Sequence, residues 1–246
     1  SVAARVDATT ARAVVLAGLR SAEGAADPAA ILRSALGLTV RLVNAEAAAA
    51  RAGALSTPGA RPGSVVADLG GGTVDVIASD GTEVVAAGGG EMLTAAVATY
   101  LGLPRGAADW VKRGPSSRLE GPQVALAEDG VRTFLDRAAP AAAVGSLVAP
   151  GPAGLLPFGG SLAPSAWRAL RLRLKQRVLV DNLARALRGL PGPPADVLLV
   201  GGVAGDSELL GLLREVLPGT AAGRADVAGR LGHRYAVAYG LVLLSG

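Results

Sequence analysis

Cysteine is absent from this chain of 246 residues. That excludes a disulfide framework, a thiolate metal site and a cysteine nucleophile, and a reducing cytoplasm is the expected setting. Aromatic residues are scarce at 3%, so a core has to be packed from Ala, Val and Leu, as in many α/β proteins. No unbroken apolar run approaches the ~20 residues that span a bilayer, and no charged start leads into an apolar signal segment. No membrane partner is expected. Neither sign of charge dominates: 24 Lys and Arg face 20 Asp and Glu, for a formal charge of +4. These charges are scattered rather than gathered into a basic footprint, which argues against a nucleic-acid partner.

What is present is apolar residue in quantity. Half the chain belongs to the hydrophobic set, enough for one substantial core or two modest ones. The first residue is Ser1, and the chain is expected to be trimmed or one piece of a longer polypeptide. Thr10 to Leu36 is rich in Ala and Leu and reads as helical, with Asp27-Pro28 suiting a helix start. Leu38 to Val43 reads as a strand, Asn44 to Leu55 as a helix, and the Pro/Gly-rich Ser56 to Ser64 as a loop. Ser64 to Ala78 then predicts strand, tight turn, strand. Asp80-Gly81 predicts a type I′ hairpin into a third strand, Thr82 to Ala87.

After Gly88-Gly89-Gly90 a helix is expected over Glu91 to Leu101. Gly102 to Gly160 reads as irregular, with two short strand candidates at Gln123 to Leu126 and Val131 to Leu135. Leu162 to Leu190 reads as one long helix opened by Pro164. Its core face is expected to carry Trp167, Leu170, Leu174 and Val178, with Arg168, Arg171, Lys175 and Arg185 largely elsewhere. A buried strand (Asp196 to Val200), a glycine turn, a helix (Ser207 to Leu217) and a closing helix (Ala236 to Leu244) complete the pattern.

Two motifs carry chemistry. In VVADLGGGTVDV, Val65 to Val76, a carboxylate ends a buried strand and three glycines follow. Backbone N–H groups can converge there on an anion with no Cβ in the way. Thr73 adds a hydroxyl, and Asp68 and Asp75 can hold hydrated Mg²⁺ or orient water. On these residues alone a hairpin with a glycine-rich turn and an ordinary Asp is an equal alternative. In DVLLVGG, Asp196 to Gly202, a strand ending in two glycines before a helix lets backbone approach a planar or phosphorylated ligand. A plain strand-to-helix turn is the alternative.

Taken in order, VRLVNAEAAAARAGAL, DLGGGTVDV, DVLLVGG and AVAYGL resemble the first connecting helix, second phosphate loop, adenosine loop and second connecting helix of the actin, sugar-kinase and heat-shock-chaperone ATPase superfamily. The resemblance implies an α/β, actin-like (ribonuclease H-like) fold with mixed sheets flanked by helices, and binding of ATP or ADP with Mg²⁺. It places Asp68 and Glu46 at the Mg²⁺ shell, Gly70, Gly71, Gly72 and Thr73 on phosphate, and Asp75 in support of that loop or its water. Gly201 and Gly202 would line the adenosine pocket, and Lys175, Gln176 and Arg177 would fall in the helix flanking adenine. A solvated basic face is the alternative for those last three.

Four further segments, AGALSTPG (Ala52 to Gly59), AAGGGEMLTAAVATYLGL (Ala86 to Leu103), LKQRVLVDNLARALR (Leu174 to Arg188) and AGRADVAGRLGHRYAVAYGL (Ala222 to Leu241), are similar to the large subunit of diol or glycerol dehydratase reactivases. This similarity implies a molecular chaperone that uses nucleotide to release damaged cofactor from a cobalamin-dependent diol or glycerol dehydratase. The family's first phosphate loop has no counterpart here, since Val6-Asp7-Ala8-Thr9-Thr10 lacks the glycine. Residues 1–60 are accordingly expected to be a remnant of the first lobe with its connecting helix, and 61–246 the second ATPase lobe. A severed or separately encoded N-terminal segment would restore the missing loop; most of the region that in the family helps hold a small reactivase subunit also has no counterpart here, which argues against pairing with such a subunit. Two other readings stay open: a non-catalytic interaction module that keeps the fold without ATPase activity, and a sugar or acetate kinase, whose substrate motifs have no counterpart in the chain.

Overall fold

The computed structural model describes residues 28–37, 39–40, 46–160 and 162–245. Along the chain come helices α1 (Pro28–Leu36) and α2 (Glu46–Leu55), then strands β1 (Val65–Leu69), β2 (Thr73–Ile77) and β3 (Glu83–Ala87). Helices α3 (Gly90–Leu101) and α4 (Arg105–Val111) follow. They lead into five strands: β4 (Ser117–Gly121), β5 (Val124–Ala127), β6 (Arg132–Phe134), β7 (Leu147–Gly151) and β8 (Gly154–Phe158). The last part holds α5 (Pro164–Lys175), a π-turn (Gln176–Val180), α6 (Asp181–Arg188), β9 (Asp196–Val200), α7 (Leu209–Val216), β10 (Ala221–Arg224) and α8 (Ala236–Ser245).

The main sheet has the order β10-β9-β1-β2-β3. The tight turns after β1 and β2 make their pairs antiparallel, whereas β9 and β10 run parallel to β1 because a helix intervenes before each. This is the ribonuclease H-like arrangement expected from the sequence. Period-two alternation then decides what each face carries. Val65, Ala67 and Leu69 of β1, with Val74 and Val76 of β2, enter the larger core against α3 and the α5–α6 helices. Val66, Ile77 and Val200 face the other way, onto Ala50 and Ala54 of α2 and Ala236 of α8. By the same alternation Asp68 and Asp75 belong to the α2 face.

Helices α2 and α8 cross backbone to backbone. A Cβ added at Gly53 would come within 3.0 Å of the Ala236 carbonyl, and one at Gly240 equally close to that of Ala49. Any larger residue at either crossing point has to push the helices apart.

Several expectations need correction. The segment from Gly102 to Gly160 is not irregular. It forms α4 and a second, wholly antiparallel sheet of order β6-β5-β4-β7-β8. Its strands are short and rich in Gly, Pro and Ala, so no run alternates long enough to register. Leu147, Ala149 and Phe158 dock it on the main core, with Phe158 edge-on to Trp167 at a centroid distance of 5.5 Å. Its other face closes over Leu119, Ala125, Ala139, Ala143 and Val148.

The Asp80-Gly81 hairpin is not type I′. Only Gly81 has positive φ (88°), and its N–H donates to the Ala78 carbonyl, so the turn is centred on Ser79-Asp80 and Gly81 takes the bulge position. The long helix runs on from Pro164 to Arg188 as expected but widens into a π-helical segment at Gln176–Val180, where Asn182 Nδ2 donates to the Val178 carbonyl at 2.8 Å. Strand β10 went unread because Ala221–Arg224 lacks β-branched residues. Val6 to Thr10, most of the expected Leu38 to Val43 strand and the Thr10 to Asp27 part of the expected Thr10 to Leu36 helix lie outside the described residues.

Candidate functional site

The site lies where β1 and β9 end side by side, with Asp68 in register with Val200. Beyond β1, Gly70 to Gly72 form the hairpin into β2, closed by the Gly70 N–H donating to the Thr73 carbonyl at 3.0 Å. The carbonyls of this hairpin are tied backwards: Gly72 accepts from Gly88 N–H (3.0 Å), Gly70 from Gly90 (3.0 Å) and Gly71 from Glu91 (2.8 Å). The N-terminus of α3 thus holds the oxygens of the loop. Among the described residues the N–H groups of Gly71 and Gly72 meet no acceptor, and both glycines are exposed. The result is a loop with its acceptors occupied and two donors free, suited to an anion.

The clamp demands bare backbone behind it. A Cβ on Gly89 would fall within 3.0 Å of the Gly70 and Gly71 carbonyls, so no other residue fits there. Lys112 braces α3 from behind, its Nζ donating to the Gly90 carbonyl (2.8 Å) and Thr94 Oγ1 (2.6 Å) and pairing with Asp109 at 2.7 Å.

Asp68 and Asp75 face each other across the β1–β2 pair. Asp75 accepts from Thr73 Oγ1 at 2.9 Å. Burial pushes the Asp68 carboxyl up to about 6, and the charges of Asp75 and Glu46 push the same way. Glu46, exposed at the head of α2, therefore bears on the same point. Gly201 (φ 87°) completes the wall. A Cβ there would press within 3.0 Å of Asp68 Oδ1 and the Leu69 carbonyl, and its N–H donates to the His233 carbonyl at 3.0 Å. Gly202 is exposed beside it.

The sequence-predicted residues Glu46, Asp68, Gly70, Gly71, Gly72, Thr73, Asp75, Gly201 and Gly202 thus converge at one end of the main sheet. The three helix residues do not behave alike. Lys175 is fully buried, and its ammonium pairs with Asp206 (2.6 Å) and Glu208 (2.7 Å), so it offers no free charge to a ligand in this arrangement. Gln176 donates to Asp181 at 2.9 Å, whereas Arg177 is exposed. Nor do Arg171 and Lys175 lie away from the core face as expected. With Trp167 they form its buried stripe, four residues apart.

Could these residues hold Mg²⁺? Among the described residues no group of three carboxylates or imidazoles is close enough to ligate an ion directly. The donor set nevertheless fits a hydrated ion. The two aspartates and Glu46 are all hard oxygen ligands, Asp68 is destabilised by the company of the other two, and Mg²⁺ keeps several of its waters.

Sequence reasoning missed the carbonyl clamp from α3, the Lys112 brace and the ion cluster around Arg171. A signal for the last was present in the spacing of Trp167, Arg171 and Lys175. Nothing local in the sequence marked the acidic partners Glu128, Asp206 and Glu208.

Comparison with known proteins gives this geometry its context. Residues 2–245 match the family described as diol dehydratase reactivase ATPase-like domain. The propanediol dehydratase-reactivating factor large subunit of Salmonella typhimurium is 37% identical over 220 residues, covering 85% of this chain and 36% of that protein. The chain thus spans about a third of the length of the curated relatives it matches. Among solved structures, diol dehydratase-reactivating factor in nucleotide-free form superposes with a TM-score of 0.75 at 34% identity, covering 88% of this chain and 38% of the other. A glycerol dehydratase reactivase does so with 0.76 at 32% identity, covering 90% and 39%. By its sequence match and its superposition on solved reactivases, this chain belongs to the diol dehydratase reactivase ATPase-like domain family and shares its α/β fold.

Proposed function

We propose that this chain is the nucleotide-responsive part of a reactivase, a chaperone that uses ATP or ADP with Mg²⁺ to release damaged cofactor from a cobalamin-dependent diol or glycerol dehydratase in the cytoplasm. The observation that carries this reading is the glycine hairpin whose carbonyls are clamped by α3 while the Gly71 and Gly72 N–H groups meet no acceptor among the described residues. In this reading those N–H groups and Thr73 hold phosphate, and Gly201 and Gly202 admit the adenosine. Asp68, Asp75 and Glu46 hold the hydrated Mg²⁺ or orient water, and Gln176 and Arg177 flank the adenine. Bound Mg²⁺ would neutralise developing phosphate charge; the chain's own part is to position and to shield.

Residues 61–246 would form the second lobe of the clamp and 1–60 what accompanies it from the first. The opposing phosphate donors would come from an N-terminal segment or a partner such as a small reactivase subunit. With donors from one side alone water stays in the site, and binding is expected without fast hydrolysis. Nucleotide then changes affinity for the dehydratase, and by linkage the dehydratase changes affinity for nucleotide.

Calorimetry with ADP and Mg²⁺ tests the reading. Binding is expected in the wild type and its loss in Gly71→Val. A Cβ at that position meets only Glu91 Cγ at 3.4 Å, so the fold itself has room for the change. Undiminished binding in that variant would remove the phosphate role from this loop.

A further inference from the structure

The inserted antiparallel sheet touches the nucleotide end of the molecule at one charged junction. Arg171 on α5 is its centre. Its Nη1 and Nη2 donate to the two carboxylate oxygens of Glu128 at 2.6 and 2.9 Å, while Nη2 and Nε donate to those of Glu208 at 2.6 and 3.0 Å. One planar guanidinium therefore makes a two-pronged bond in each of two directions. Glu208 passes the contact on to Lys175 (2.7 Å), and Lys175 to Asp206 (2.6 Å). The side chains of Arg171 and Lys175 are 0% exposed, those of Glu128, Asp206 and Glu208 6%, 9% and 15%. Water screens these charges little.

The two ends of this chain of contacts explain why it matters. Glu128 sits in the turn between β5 and β6, and it also accepts the Ser116 N–H at 2.8 Å, where β4 begins. Asp206 directly follows the turn Val203–Gly205, which continues from Gly201 and Gly202, and its N–H donates to the Val203 carbonyl at 2.9 Å. Arg224 of β10 secures the same loop from the other side, through the Ala204 carbonyl at 2.6 Å. A shift of the glycine loop therefore has to move Asp206, and with it the carboxylates and Arg171.

We propose that Glu128 is a positioning residue for the adenosine-side loop, acting through Arg171, Glu208, Lys175 and Asp206, so that nucleotide occupancy and the placement of the β4–β8 sheet are coupled. The proposal rests on the nucleotide reading above and adds to it the part of the molecule that responds. Coupling of this kind runs both ways: whatever displaces the sheet weakens nucleotide binding by the factor by which nucleotide holds the sheet in place.

The test uses the full chain with ADP and Mg²⁺. In calorimetry, Glu128→Gln, which keeps the shape and removes the charge, is expected to weaken ADP by about tenfold, within the usual range for coupled sites. Glu128→Asp is expected to lie between it and the wild type. Glu120→Gln, at an exposed pair on the same sheet, is expected to change nothing. Amide hydrogen exchange supplies a readout that a purely structural bolt would not move: ADP should slow exchange across residues 117–158 of the wild type, and the effect should shrink in Glu128→Gln. The proposal is overturned if ADP binds while exchange in that segment is indifferent to it, or if folded Glu128→Gln binds ADP as the wild type does. The wild-type exchange measurement decides alone should the variant fail to fold. Absence of ADP binding to the wild type would instead bring down the nucleotide reading, and this inference with it.

Discussion

Two clusters of buried or half-buried charge lie in this fold, and they are built on opposite terms. Around Arg171 two cations meet three carboxylates, each within hydrogen-bonding distance of a partner. Burial alone would push Glu208 up, but hydrogen bonds from Arg171 and Lys175 outweigh it and hold that carboxyl down at about 2. At the end of β1 the balance is reversed. Asp68 is buried beside Asp75 and within reach of Glu46, and every one of those influences raises it, to about 6. The first cluster is complete in itself. In the second, burial and neighbouring carboxylates disfavour the ionised Asp68, which is what a cation or a nucleotide–cation complex would relieve. A carboxyl held down by its cations marks a structural joint, and one pushed up marks a candidate binding site.

The largest effect is expected from breaking the complete cluster. Arg171→Met keeps most of the side-chain volume but leaves Glu128 and Glu208 buried without their main partner. Removal of one member of a buried ion pair costs roughly 3–5 kcal/mol, and urea unfolding of the variant should show a loss of that order. A loss below about 1 kcal/mol, the scale of a surface pair, would mean that the cluster is not a closed unit.

The Asp68 site should respond with the opposite sign. Without nucleotide or Mg²⁺, Asp68→Asn removes an ionised carboxylate that the fold disfavours. At pH 7.5 it should raise stability by on the order of 2–3 kcal/mol, the linkage cost of ionising a carboxyl that folding raises from 3.8 to about 6. The same variant should gain less than the wild type from added Mg²⁺ and ADP. Destabilisation in thermal unfolding would show that Asp68 is satisfied within the chain after all.

The pH dependence of the wild type carries both signs at once. Asp68 has a higher pKa folded than its ordinary 3.8, so the folded state binds its proton more tightly. Its contribution makes stability rise as pH falls from above 6 toward 4. Glu208 has a lower pKa folded than its ordinary 4.5, so its contribution is present above that value and lost as pH falls from there toward 2. Stability should therefore pass through a maximum at roughly pH 4, between the ordinary values of the two groups. In Asp68→Asn the rise on the neutral side should flatten while the acid limb remains, and urea midpoints across the series would read this directly.

How far these clusters were legible in the sequence follows from the same contrast. The Asp68 site is local. Strand, glycines and strand lie within VVADLGGGTVDV, period-two alternation puts Asp68 and Asp75 on one face, and Gly201-Gly202 ends a strand that any reading of DVLLV finds. The Arg171 cluster is assembled from three distant places in the chain: a helix, the β5–β6 turn and the approach to α7. The spacing of Trp167, Arg171 and Lys175 was visible, but arginine and lysine on a helix ordinarily snorkel to solvent, and what overrode that was carboxylates 37 and 43 residues away. The inserted sheet was hidden for a related reason. Its strands run to five residues at most, and their pairing is set by docking against α4 and Trp167 rather than by their own pattern.

The smallest effect is expected where charge is paired but exposed. Arg132 reaches Glu120 at 2.6 Å across the second sheet, and that hydrogen bond holds the Glu120 carboxyl below its ordinary range. The distance matches the best contacts of the Arg171 cluster, yet the Arg132 side chain is 65% exposed, so water and salt compete for both ends. Glu120→Gln should leave the unfolding midpoint where it is within experimental scatter. Half-molar sodium chloride should erase whatever difference remains, while the deficit of Arg171→Met should persist in the same salt because its charges are out of reach of the ions. If salt instead narrowed both gaps equally, burial would not be what separates the two pairs, and the contrast between joint and surface would have to rest on geometry alone.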